Sequence, residues 1–133
     1  FCLSRGLGDV YKRQSSITTP ALTALGNATA NVTLKFKIGI GLGGKNEYAP
    51  DPCTVTITTT GGGTAGTLTP DLSTLLPQSD LTEITNATAP EYENAYHRWH
   101  EVSVPISGAT KDTRITIGGT GRHFIDDIVI TKD

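Results

Sequence analysis

Between Val32 and Ile40 apolar and polar positions alternate: Val32, Leu34, Phe36, Ile38 and Ile40 against Thr33, Lys35, Lys37 and Gly39. Successive side chains of an extended chain point to opposite faces, so this segment predicts a strand with one dry face and one wet face. The same period returns three more times. Cys53, Val55 and Ile57 alternate with Thr54, Thr56 and Thr58; Val102, Val104 and Ile106 alternate with Glu101, Ser103 and Pro105; Ile115 and Ile117 flank Thr116. In the last segment Phe124, Ile128 and Ile130 share one parity, and unbroken alternation puts Asp126 on the inner face with them.

Helical periodicity is nearly absent. Its best candidate, Leu72 to Leu76, lies between Pro70 and Pro77 and has room for a short turn only. Threonine is abundant from residue 15 onward, as suits the solvent face of a sheet. Turn residues separate the apolar runs: a loop from Gly41 to Pro52, Gly61-Gly62-Gly63, Ser107-Gly108-Ala109, and Gly118 to Gly121. A further strand is conceivable around Thr82 to Thr85. Short alternating strands with such spacing predict an all-β antiparallel β-sandwich or barrel.

The length of 133 residues suits one domain. A formal net charge of −2 offers no basic face, which argues against nucleic acid as a partner. No apolar run approaches the roughly 18 residues of a membrane helix. Residues 1–14 differ from the rest: they carry Arg5, Lys12 and Arg13 against Asp9 and contain no threonine. This stretch resembles translated adapter sequence of metagenomic assemblies and is set aside from the fold as an extraneous tail. Residues 15–133 then form a single β-sandwich domain, read as a fragment of a larger protein. Cys53 is the one cysteine left in it, which excludes a disulfide framework or a cysteine zinc site.

Three segments together resemble a known family: Ser16-Ile-Thr-Thr-Pro20, Trp99-His-Glu-Val-Ser-Val-Pro-Ile106, and Arg122-His-Phe-Ile-Asp-Asp-Ile-Val-Ile130. They resemble the galactose-binding-like, carbohydrate-binding-module-like jelly-roll domains of bacterial secreted and cell-surface proteins. The resemblance implies a jelly roll, an extracellular or cell-surface location and neighbouring domains in a parent protein. In that family a further strand precedes the Ser-Ile-Thr-Thr-Pro segment, where residues 1–14 stand here. The expectation is a jelly roll lacking its first strand or two, with an open sheet edge or a chance pairing of the tail. The resemblance also implies a structural Ca²⁺ near the last strand, with Asp126 as a ligand, and a core-packing aromatic at the position of Trp99.

Glu91-Tyr-Glu-Asn-Ala-Tyr-His-Arg-Trp-His100 is the chemically densest segment. Aromatic faces stack on sugar rings, and nearby carboxylates and amides bond hydroxyls. Trp99, Tyr96, Tyr92 and His97 are therefore the candidate glycan contacts, with Tyr48 in the glycine-rich loop as a further one. Each also has a plainer reading: Trp99 in the core or at its rim, the others as solvated loop tips. Asp126, if turned inward, requires a hydrogen-bond donor or a cation; a bulge would turn it outward. His97 and His100 are three apart and face opposite sides of an extended chain, which argues against a shared metal. No catalytic constellation is visible. The expected function is a non-catalytic carbohydrate-binding module. The alternative is a structural or adhesive domain of a surface protein without a small ligand.

Overall fold

The computed structural model describes residues 2–3, 15–40, 54–71, 99–120 and 123–133. Tyr48, Cys53, Tyr92, Tyr96, His97, the short turn at Leu72–Leu76 and the strand expected at Thr82–Thr85 lie outside them. Among the described residues eight strands follow in chain order: β1 (Cys2–Leu3), β2 (Ser15–Thr18), β3 (Ala30–Ile40), β4 (Thr54–Thr60), β5 (Thr64–Ala65), β6 (His100–Ala109), β7 (Arg114–Thr120) and β8 (His123–Lys132). One turn of 3₁₀ helix, Thr23–Leu25, links β2 to β3.

The strands form two antiparallel sheets, one of five strands ordered β1-β8-β3-β6-β5 and one of three ordered β2-β7-β4. Strand β1 pairs with β8, β2 with β7 and β3 with β6. The chain is thus nested as if a long hairpin had been rolled up, and it changes sheet at almost every connection. That nesting is the jelly-roll arrangement. Two residues of the stretch set aside as a tail pair with β8 at the edge of the larger sheet, Cys2↔Val129 and Leu3↔Ile128.

The alternating residues explain the layers. Val32, Leu34, Phe36 and Ile38 of β3 meet Val102, Val104 and Ile106 of β6 beneath the larger sheet, all of them buried. Ile115 and Ile117 of β7 oppose them from the smaller sheet, with Ile17, Val55 and Ile57 packed against the cluster. Full burial of such side chains contributes about 1.5–3 kcal/mol each. The two buried threonines are paired: Thr19 Oγ1 accepts from Ile115 N at 3.0 Å, and Thr113 Oγ1 accepts from Thr110 N at 2.8 Å. Burial of these hydroxyls is therefore not penalised.

Two expected turns are displaced. Ser107-Gly108-Ala109 belongs to β6, and the reversal falls at Thr110–Thr113, where Thr113 N donates to Thr110 O at 3.1 Å. Gly118 and Gly119 are likewise strand residues of β7. Gly119 is required there because a Cβ would run into the Thr54 carbonyl of the paired strand. The turn at Gly61-Gly62-Gly63 is where it was expected, with all three at positive φ.

Strand β8 departs most from the alternation. Lys35 faces Val129, but Lys37 faces Asp126, so Asp127 and Ile128 together oppose Phe36. This is a β-bulge, and Asp127 sits in it at φ 51°. Before the bulge His123 and Ile125 point inward; after it Ile128 does. The expectation that Phe124 and Asp126 face the core is therefore wrong. Both lie on the outer face, because one extra residue inverts the parity of everything before it.

Candidate functional site

The outer face of the five-stranded sheet is built around β3, with β8 on one side and β6 on the other. Gly39 of β3 pairs with Phe124 of β8. Ile38 pairs with His100 of β6, which brings Trp99, the next residue outward, level with Gly39 on the other flank. Trp99 and Phe124 are the large hydrophobic side chains left exposed among the described residues, at 49% and 37%. Both have outward parity, so two aromatics flank a residue without a side chain. Their strands are second neighbours, which sets the backbones roughly 10 Å apart.

A polar row lies two residues further along the strands. Lys37 faces Glu101 of β6 and Asp126 of β8. Its Nζ is 2.8 Å from Asp127 Oδ2, in an ion pair whose two side chains are 43% and 47% exposed. The hydrogen bond and charge of Asp127 hold the Lys37 ammonium above its ordinary pKa, with smaller help from Glu101 and Asp126. Asp126 itself braces the bulge: its Oδ1 accepts from Asp127 N at 2.8 Å. Aspartate tolerates the left-handed backbone better than branched residues do. The bulge thus serves the site twice. It turns Phe124 outward, and it carries Asp127 into reach of Lys37.

Of the residues singled out from the sequence, the structure places Trp99 and Asp126 on this one face. Tyr92, Tyr96, His97 and Tyr48 are outside the described residues. Sequence reasoning missed Phe124, Lys37, Glu101 and Asp127. A signal for Phe124 was present: the inward isoleucines fall at 125 and 128, an odd spacing that alternation without a bulge cannot satisfy.

The other features are less suited to a polar ligand. An open cleft of about 220 Å³ at one end of the sandwich is lined by Ala21, Leu22, Leu25, Val32, Ile130 and Lys132, without an aromatic or a carboxylate. The outer face of the smaller sheet is a ladder of threonines. Among the described residues no group of three or more His, Cys, Asp or Glu side chains could hold a metal ion. No helix among them is long and apolar enough to cross a membrane. No family model, curated protein or solved structure matches the chain. The class that fold and face define is therefore an all-β antiparallel sandwich with an aromatic pair on its larger sheet.

Proposed function

We propose that the chain is a non-catalytic carbohydrate-binding module of an extracellular or cell-surface protein. The observation that carries this reading is the exposure of Trp99 and Phe124 on one sheet face, on either side of Gly39. An aromatic left half in water costs solvation free energy that a sugar's apolar C–H face recovers on stacking. The polar row beside the pair supplies acceptors and a cation for hydroxyl groups.

The test is a glycan array probed with the intact chain and with Trp99→Ala. Binding of a sugar subset by the intact chain, reduced at least tenfold in the variant, supports the reading. An array on which the folded chain binds nothing favours the structural or adhesive alternative.

A further inference from the structure

We propose that the ligand is a neutral oligosaccharide of at least disaccharide length, laid across the strands from Trp99 over Gly39 to Phe124. This rests on the glycan-binding reading and adds to it a direction, a minimum length and a charge.

The direction and length come from the topology. The strands that carry the two aromatics stand roughly 10 Å apart, since antiparallel neighbours are spaced 4.7–4.9 Å and β3 lies between. A short run of linked sugars laid across the strands reaches both aromatics. The residue between is Gly39, buried in the sheet and without a side chain to obstruct the linkage. A ligand running along the strands would instead leave one aromatic unused.

The charge comes from the adjacent row. Among the described residues, Glu101, Asp126 and Asp127 surround one ammonium, that of Lys37, with Lys35 one row further along the same face. Asp127 holds that ammonium at 2.8 Å, so it is not available as a full positive charge to an incoming anion. Among the described residues the row therefore presents excess negative charge within about 7 Å of the aromatics, two residues along a strand. Carboxylates only accept hydrogen bonds. They suit the hydroxyls of neutral hexoses and repel uronate or sulfated units.

The experiment is titration calorimetry on the intact chain. The probes are neutral gluco-, galacto- and manno-oligosaccharides, from monosaccharide to hexasaccharide, beside galacturonate oligomers of matched length. The variants are Trp99→Ala, Phe124→Ala and Glu101→Gln, each checked for an unchanged melting curve. The expected result is an affinity gain of at least tenfold from mono- to oligosaccharide in one neutral series. Loss of either aromatic should cost at least tenfold, and galacturonate oligomers should bind at least tenfold more weakly. Glu101→Gln should narrow the gap between neutral and acidic sugars. Equal affinity for mono- and oligosaccharides, or tighter binding of galacturonates, overturns the proposal. If neutral glycans bind but Phe124→Ala has no effect, the strand-crossing site is wrong while the glycan-binding reading stands. If no sugar binds, both fall.

Discussion

The two outer faces of this sandwich are made by the same alternation and end in opposite chemistry. On the three-stranded sheet the wet positions are Ser16 and Thr18 of β2, Arg114, Thr116 and Thr120 of β7, and Thr54, Thr56, Thr58 and Thr60 of β4. Their hydroxyls bond each other across strands: Thr18 to Thr116 at 2.8 Å and Thr54 to Thr120 at 2.6 Å. Alternation there is unbroken, and short β-branched side chains satisfy one another. On the five-stranded sheet the wet positions include two aromatics, a glycine and a cluster of opposed charges. There the register is broken by a bulge. A regular ladder answers its own polar groups, whereas the interrupted one leaves apolar surface and charge facing outward.

The comparison can be broken at its base by removing what both faces share. Phe36 is fully buried opposite the bulge, beneath the charged face. Phe36→Ala should destabilise the domain by about 3–5 kcal/mol, read by chemical denaturation. A loss below about 1 kcal/mol would mean that the two sheets do not enclose one core.

The next test separates the faces. Trp99→Ala and Phe124→Ala should each weaken glycan binding by about 1.4 kcal/mol or more, a factor of ten, with stability changed by no more than roughly 0.5 kcal/mol. Thr56→Ala and Thr58→Ala on the opposite sheet should leave binding unchanged. Calorimetry on the four variants decides which face is in use, and a larger effect from the threonines would reverse the assignment.

The bulge gives a smaller effect. Asp127→Val places a β-branched residue at φ 51° and should cost about 1–2 kcal/mol. Asp127→Gly relieves the backbone while losing the same ion pair, so thermal melts should rank Gly above Val. The reverse order would show that the left-handed backbone does not govern stability at this position.

The smallest effect expected is in pH. Lys37 gains a partner on folding and its pKa rises, so its contribution is complete below the unfolded pKa. That contribution is lost as pH rises through the folded value. Both side chains are well exposed, and the change in stability should be slight. NMR titration of the Lys37 side chain should show its midpoint falling in Asp127→Asn. An unmoved midpoint would place the ion pair elsewhere.

Much of the fold was legible because the dry face of each long strand is marked by apolar residues at alternate positions. Val32 to Ile38 and Val102 to Ile106 lie as their pattern implies, since a strand covered on one face obeys a period of two. Turns were less legible. Gly108 and Gly119 read as loop residues from composition, yet both are in strands, and Gly119 is there because a neighbouring carbonyl leaves no room for a Cβ. That requirement is a tertiary fact, invisible along the chain. The candidate face was legible only in part. Trp99 stood out by its chemistry, but Phe124 was assigned to the core because a bulge inverts parity without altering composition. The pairing of Trp99, Gly39 and Phe124 joins three distant stretches, and only strand register brings them together.

Trp99 is the single tryptophan of the chain, so its fluorescence reports on the proposed face alone. The most direct measurement is acrylamide quenching of Trp99, without and with a saturating neutral oligosaccharide chosen from the array. The account predicts efficient quenching of the free protein and clear protection on ligand addition, with protection diminished in Phe124→Ala. A tryptophan already shielded in the free protein, or one as accessible with sugar bound as without, would contradict it.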